Sequence, residues 1–465
     1  MNHLQHDLVL RVVKGINALA MTAPFAVCWM LYYAAQIVAP FYQRGNWVMI
    51  LVALILYVVL GRVYDAFLVS LNRISEMVYS QALSALIADG LLYLIIVLLA
   101  RRLINPLPLF LALAGQILIA VVWAFLAHQW YFWTFPPKRT FIIYDMRIGM
   151  EQLIREYGLS KKFQILDSIR ADICIAERLS DLQSVEAVFL CGVHSRDRNI
   201  ILKQCIEHRV TVYVIPRIGD TIMSSAKQMH MFHLPLLRVD RYNPSPEYLF
   251  IKRTADIVIS VLALVILSPV FLGTAIAIKA EDGKDVFYRQ TRMTKDGKMF
   301  KIIKFRSMRM DAEKDGVARL STGDADDRIT RTGRAIRKVR IDELPQLINI
   351  LKGDLSIVGP RPERPEIAAE YEMEMPEFSL RLQAKAGLTG LAQVYGKYNT
   401  TPYDKLQMDL MYIAHPSIWE DLRIMFATVK ILFIAESTEG FSEQNPAAPV
   451  QEAVAEEKEY ELISK

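Results

Sequence analysis

Asp342 and Glu343 stand side by side where an amphipathic helical pattern begins. Leu344, Leu347, Ile348 and Leu351 recur at i, i+3, i+4 and i+7, which predicts one apolar helix face, and Gly353 is placed to end the helix. Pro345 falls in the first turn, where its missing N–H costs least. The pair therefore lies at the positive end of a helix, with Arg337, Lys338 and Arg340 upstream and Arg361 downstream. An anionic substrate, a metal ion and a carboxylate nucleophile can meet at such a place. The same two residues would also serve as a plain helix cap, since acidic side chains favour any first turn. Their surroundings decide between the two readings.

Those surroundings are basic. Tyr288-Arg-Gln-Thr-Arg292 supplies Gln290 and Arg292. Ile303-Lys-Phe-Arg-Ser-Met308 sets Lys304 and Arg306 on either side of Phe305, on one face of a predicted strand. Arg328, Arg331, Arg334 and Arg337 follow, and Pro360-Arg361-Pro362 comes after the helix. Taken singly, each would read as a solvated or headgroup-facing charge. So many cations around two carboxylates point to a polyphosphate, whose oxygens Arg forks grip well.

The elements that must position this site begin with a membrane anchor. Hydrophobic residues make up 53% of the 465 and charged residues 22%, and the apolar excess is local. Uncharged or nearly uncharged stretches run over 16–39, 47–60, 82–100 and 107–126, each near the roughly 20 residues a spanning helix needs, the second being short. Trp47, Trp130, Tyr131 and Trp133 sit at their ends, as at membrane interfaces. No small-residue cleavage site follows the first stretch, so it reads as an anchor. Arg11, Lys14, Arg62, Arg73, Lys138 and Arg139 would be cytoplasmic, against Arg44, Arg101 and Arg102 outside, which puts everything after 138 in the cytoplasm. Asp89 is an intramembrane acid whose simplest purpose is to face a helix partner. The net charge of +5 suits anionic headgroups, and no motif reads as a nucleic-acid module. Cys28, Cys174, Cys191 and Cys205 lack metal or redox spacing and read as buried thiols in a reducing compartment.

From Arg139 the pattern changes to short apolar runs alternating with helical stretches. Strands are predicted at 141–144, 187–190 and 210–215, with helices over 149–157 and 197–208, which gives a small doubly wound α/β module. The turn after its first strand should read G-x-G-x-x-G if it held a dinucleotide. It reads Tyr144-Asp-Met-Arg-Ile-Gly-Met150, with Asp145 and Arg147 where glycines should stand, so neither NAD nor FAD is expected.

A further apolar stretch covers 257–280 and is broken in its middle by Ser268-Pro269. Lys252, Arg253 and Lys279 flank it on both sides. A helix that enters one leaflet and returns would keep both ends cytoplasmic. A Pro-kinked transmembrane span is the other reading, and sequence physics leaves both open.

In order, Lys252-Arg253, the Ser-Pro break, Gln290-x-Arg292, Lys304-Phe-Arg-Ser-Met308, Thr332-Gly-Arg334 and Asp342-Glu-Leu-Pro-Gln-Leu347 form one pattern. It continues through Gly353-Asp-Leu-Ser-Ile-Val-Gly-Pro-Arg-Pro362, Gly387-Leu-Thr-Gly-Leu-Ala-Gln393, Asp409, Tyr412, Ser417 and Asp421. The pattern resembles the polyprenyl-phosphate hexose-1-phosphate transferases, the bacterial sugar transferase family. With the anchor and α/β module ahead of it, the chain looks like the larger, undecaprenyl-phosphate glycosyl-1-phosphate transferase type. Ala386, where a proline is usual, and Lys397, where arginine is common, depart from that pattern without touching the carboxylates.

The resemblance implies transfer of a sugar-1-phosphate from a UDP-sugar to undecaprenyl phosphate, releasing UMP, as the first membrane step of exopolysaccharide, capsule or O-antigen assembly. Asp342 would be the nucleophile that carries a covalent phosphosugar, and Glu343 would hold Mg²⁺ or Mn²⁺. Lys304, Arg306, Arg337, Arg361, Gln290 and Arg292 would bind substrate, and membrane lipids would surround the Ser268-Pro269 break. A homodimer and a place in the bacterial inner membrane, with the catalytic domain cytoplasmic, follow from the same likeness.

The expected fold class is an integral membrane α/β protein. Its parts are a four-helix anchor (1–138), a Rossmann-like module (139–245), a re-entrant helix with a monotopic transferase domain (246–436) and a disordered tail (437–465). A membrane-bound NAD-dependent nucleotide-sugar dehydratase or epimerase, a non-catalytic assembly scaffold and a lipid-linked-sugar transporter are the competing functions. The first lacks its glycine fingerprint, the second leaves the carboxylate pair unexplained, and four helices with one acid support the third poorly.

Overall fold

The computed structural model describes residues 3–432 except 43, 146, 310–327 and 397–399. The predicted tail and Lys397 lie outside the described residues. The chain divides into two compact units, Met1–Ile215 and Pro216–Lys465.

The first unit opens with four helices, α1 (His3–Leu31), α2 (Arg44–Val63), α3 (Ile74–Ala100) and α4 (Leu107–Thr134), all long and apolar enough to cross a membrane. The first differs from expectation: it begins well before residue 16 and stops at Leu31, followed by a 3-10 turn at Tyr33–Ala35. Hydropathy marks the part suited to lipid, whereas polar residues such as Arg11 and Lys14 continue a helix without difficulty. Inside the bundle Tyr57 donates to Asn17 (3.0 Å), and Asn17 donates to Gln81 (3.2 Å). Polar side chains buried in such a bundle must find partners within it. Asp89 is likewise buried.

The unit continues as a parallel sheet in the order β2-β1-β3-β4, from β1 (Lys138–Tyr144), β2 (Phe163–Arg170), β3 (Ala187–Cys191) and β4 (Thr211–Ile215). Helices α5 (Met150–Glu156), α6 (Ala171–Glu177) and α7 (Ser195–Glu207) connect them. Ile142 packs with Ile154 of α5 on one face, while Phe141 and Ile143 pack with Cys174 of α6 and Ile201 and Cys205 of α7 on the other. Helices therefore cover both faces, as the alternation of runs predicts. The strand missed by the sequence reading is β2. It lies at the sheet edge, and its alternating Phe-Gln-Ile-Leu-Asp-Ser-Ile-Arg lacks the continuous apolar run of a central strand.

The second unit starts at residue 216, inside the predicted module. Helix α8 (Ile218–Ser224) and a hairpin, β5 (Lys227–Met231) with β6 (Leu234–Arg238), precede the membrane element. Gln407 donates to the Pro216 carbonyl, Ser224 meets His415 at 3.1 Å, and Ile218 packs on this unit's core.

The interrupted apolar stretch forms α9 (Pro246–Ile266) and α10 (Ser268–Asp282), bent by 61°. Pro269 lies in the first turn of α10, where its missing N–H is harmless, and Ser268 Oγ donates back to Val265 O at 2.8 Å. Both arms are tied to this unit's core. Arg253 of α9 donates to the carbonyls of Ile350 (2.7 Å) and Leu351 (2.9 Å), and Asp256 accepts from Ile357 N at 3.0 Å. At the far end of α10, Glu281 accepts from the backbone of Arg331 (2.9 Å) and Thr332 (3.2 Å). The residues around the break, Leu262, Val265, Ile266 and Leu272 among them, are exposed.

Strands β7 (Phe287–Met293) and β8 (Met299–Phe305) form an antiparallel pair beside α11 (Arg331–Lys338) and α12 (Gln346–Lys352). Beyond them come β9 (Ser356–Val358), α13 (Pro365–Glu374), β10 (Gly387–Thr389), α14 (Leu391–Tyr395), α15 (Pro402–Ala414) and α16 (Ile418–Leu432). Two close backbone crossings explain why motif glycines stand where they do. A Cβ on Gly333 would lie 2.0 Å from Ser307 O. One on Gly359 would lie 2.3 Å from Lys385 O, and ones on Gly387 and Gly390 would lie 2.1 and 2.2 Å from Gly359 backbone atoms. The second crossing fixes the loop that carries Arg361.

Candidate active site

The acidic pair is not part of α12. Ile341–Glu343 form a single 3-10 turn, and Pro345 then starts the helix. Arg340 enters the turn with φ +54°, a left-handed conformation that strains a non-glycine residue by about 1 kcal/mol or more. The buried face of α12 also corrects the expectation. Gln346, Leu347, Asn349 and Ile350 are buried, while Leu344, Ile348 and Leu351 are half-buried. Asn349 explains the rotation: it accepts from Ile303 N (3.0 Å) and donates to Lys301 O (2.9 Å), lashing the helix to β8. A buried amide with both ends satisfied takes an inward position that a period of apolar residues does not reveal.

That lashing brings Lys304 of β8 to the site, where its ammonium lies 2.8 Å from Glu343 Oε1. Arg361 reaches the same oxygen at 3.5 Å. Burial opposes ionisation of Glu343, yet Lys304, Arg361 and Arg340 outweigh it and hold this carboxyl well below the usual range. Asp342 goes the other way. Burial first, and then the adjacent Glu343 charge, push its carboxyl up, and Lys304, Arg337 and Arg361 offset this only in part. Two neighbouring acids thus hold protons with very different affinity, a pattern that separates chemical roles.

The other predicted substrate residues are placed differently. Arg306 lies beyond the last residue of β8, so strand alternation no longer aims it with Lys304; it is buried and pairs with Asp282 at the end of α10. Arg292 donates to Gln290 Oε1 (2.7 Å) and Pro362 O (3.2 Å), so both hold the Arg361 loop from behind. Three contributors escaped the sequence reading. Arg253 caps the C-terminus of α12, Asn349 joins it to β8, and Arg381 donates to Arg361 O at 2.8 Å. Arg381 sits in the 3-10 segment Pro376–Gln383, which has no period to mark it.

A hard divalent cation suits this donor set only in company. Among the described residues no three His, Cys, Asp or Glu side chains form a metal cage. Mg²⁺ commonly takes one or two carboxylates and completes its shell with phosphate and water oxygens. The ionised Glu343, with Asp342 beside it, offers those carboxylate oxygens.

The chain matches known proteins over most of its second unit. The family model described as bacterial sugar transferase matches residues 247–435. The UDP-N-acetylgalactosamine-undecaprenyl-phosphate N-acetylgalactosaminephosphotransferase of Aeromonas hydrophila is 37% identical over 270 residues, 56% of this chain and 63% of that protein. The UDP-glucose:undecaprenyl-phosphate glucose-1-phosphate transferase of Caulobacter vibrioides is 40% identical over 191 residues, 40% of this chain and 71% of that one. Its namesake in Escherichia coli K12 is 38% identical over 212 residues, 44% of either chain. The chain therefore spans between about half and two thirds of the length of most of these relatives.

Proposed function

The chain belongs to the bacterial sugar transferase family, and we propose from that premise that it moves a hexose-1-phosphate from a UDP-sugar to undecaprenyl phosphate, releasing UMP. The observation that carries the reading is the Asp342–Glu343 pair in its 3-10 turn, with the Lys304 ammonium 2.8 Å and the Arg361 guanidinium 3.5 Å from Glu343 Oε1. Relatives bear the names of N-acetylgalactosamine, glucose and galactose transferases, so the sugar itself is left to experiment. The test is UMP release from a panel of UDP-sugars by purified protein with undecaprenyl phosphate. Transfer from one of them is expected; no release from any would end the proposal.

In this mechanism an ionised Asp342 oxygen attacks the phosphorus that bears the sugar. The bond from that phosphorus to the bridging oxygen breaks, UMP leaves with the electron pair, and Asp342 holds the phosphosugar as an acyl phosphate. An oxygen of the lipid phosphate then attacks the same phosphorus, and the Asp342 carboxylate departs unchanged. Lys304, Arg337 and Arg361 face the charge that develops on the oxygens, the main service a protein gives to phosphoryl transfer. A carboxyl whose proton affinity is raised is also the better nucleophile of the two. Bound at Glu343, Mg²⁺ would neutralise part of the diphosphate charge.

The membrane element is proposed to be re-entrant. Placed with the break as its deepest point and the 61° bend shared equally, each arm lies about 30° from the membrane plane, and the 15 residues of α10, about 22 Å long, descend about 11 Å. That is less than half of a hydrocarbon core about 30 Å thick. Bonds from both arms to one folded unit support the same geometry, which would keep the catalytic unit on the cytoplasmic side of the inner membrane. The lipid phosphate would then meet Asp342 without drawing its tail into water, at about 0.8 kcal/mol per CH₂ exposed. The α/β module is proposed to hold no NAD or FAD: Gly149 caps α5 with no backbone crowding it, and Asp145 faces His194 at 3.5 Å. Pairing into a homodimer remains part of the proposal by resemblance alone.

A further inference from the structure

We propose that Arg381, locked by Asp409, is a positioning residue that aims Arg361 at Glu343 and the substrate diphosphate; this rests on the functional reading above. The Arg361 side chain is 43% exposed and leaves a loop whose every other handle is tied. Gly359 is pinned by its crossing with β10. Met293 N donates to Glu363 O at 3.1 Å, and Arg292 holds Pro362 O. The carbonyl of Arg361 itself takes the Arg381 guanidinium at 2.8 Å. Arg381 is in turn buried, 2.6 Å from Asp409 Oδ2, 3.6 Å from Glu363 Oε1, and stacked over Phe378 with 4.8 Å to the ring centre.

A buried ion pair is a poor way to gain stability, because desolvating two charges costs about as much as their attraction returns. An apolar pair would fill the same space more simply. What the guanidinium adds is direction: its Nη2 both lies against Asp409 on α15 and donates to the carbonyl at the root of the Arg361 side chain, while Nη1 is turned toward Glu363, so the plane is held from three sides. Burial pushes the Asp409 carboxyl up to about 6, helped by Glu363 and opposed by Arg381 and Lys405. As pH falls through that value the strut loses its charge, Arg361 loses its aim and the apparent affinity for the UDP-sugar falls.

The test is a double-variant cycle on the full chain in lipid nanodiscs, reading kcat and KM for the UDP-sugar. R361A and R381A are each expected to raise KM roughly tenfold, and the double variant no further than R361A alone. R381K, which keeps a charge but not the fork, should raise KM severalfold, and again add nothing to R361A. L410A, a core change on α15, should lower the melting temperature yet multiply with R361A. D409N should flatten the rise of KM below pH about 6. Multiplied losses in R361A/R381A, or an unchanged KM in R381K and R381A, would overturn the proposal. If R381A does not fold, R381K decides. Stabilisation against heat by UDP gives a second reading of the same cycle. Wild-type protein that binds UDP but releases no UMP fails the functional reading and leaves the Arg381 cycle to be scored by UDP. UDP that protects R381K as fully as wild type would refute the strut.

Discussion

Asp421 and Asp342 are both buried acids of the second unit, 7% and 9% exposed, and their surroundings differ in kind. Around Asp421 every neighbour is a donor: Tyr248 (2.9 Å), Lys252 (2.9 Å) and Tyr412 (2.8 Å) all reach its oxygens and join α9 to α16. Asp342 instead has another carboxylate as its chain neighbour, which pushes its carboxyl up, and Lys304 and Arg361 act on both acids. A carboxylate supplied with donors is a fastener. One crowded by a like charge keeps its electron pair available.

The sharpest way to break this comparison is to convert each acid to its amide. D342N should lose UMP release by at least about a thousandfold while the protein keeps its melting temperature, since a nucleophile has no substitute. D421N should do the reverse, costing about 3–5 kcal/mol by leaving Lys252 buried without its partner. Near-normal turnover in D342N would reduce Asp342 to a cap. For Glu343, E343Q is expected to cut turnover about a hundredfold, and EDTA should silence the wild type until Mg²⁺ or Mn²⁺ is restored. Full turnover in EDTA would remove the metal.

A smaller effect concerns the membrane element. Single cysteines placed before residue 252 and after 285 should both resist an impermeant thiol reagent in intact cells and react once the membrane is opened. P269A should straighten the break and lower activity severalfold. Labelling of the downstream site alone from outside would mean that α9 and α10 cross the membrane. The smallest effect sharpens the electrostatics. Asp342 acts as the anion and its carboxyl is raised, so kcat/KM should fall with acid at a higher pH than an ordinary aspartate gives. K304M removes a cation that lowers it, so the acid limb should move further up; a limb moving down would contradict the assignment.

Legibility followed the physics of each element. The two central strands of the module, β1 and β3, show in sequence because burial on both faces demands apolar runs; edge strand β4 shows because Val210-Thr-Val-Tyr-Val-Ile215 is apolar or β-branched throughout, whereas edge strand β2 mixes polar residues into its run. That the carboxylates meet Lys304 and Arg361 was legible because so many cations in sequence around two acids must pair with them on folding. Arg306 was misdirected because its strand ends at Phe305, a boundary that alternation cannot locate. The re-use of Lys252 and Arg253 was hidden too. Basic residues flanking an apolar stretch suggest headgroups, but these two bind Asp421 and the carbonyl end of α12. Arg381 left no trace, since its partners come from Arg361, Glu363 and Asp409, brought together only by folding.

The backbone crossing at Gly359, Gly387 and Gly390 carries a consequence for how such a protein can diverge. Where main chains touch, each of the other amino acids acts as a wedge, whatever its polarity, so the three positions are closed to variation together. Arg361 sits two residues past one of them and inherits that rigidity. A lineage changing what Arg361 engages would have to alter the side chains around it, because the hinge that carries it cannot be rewritten one residue at a time.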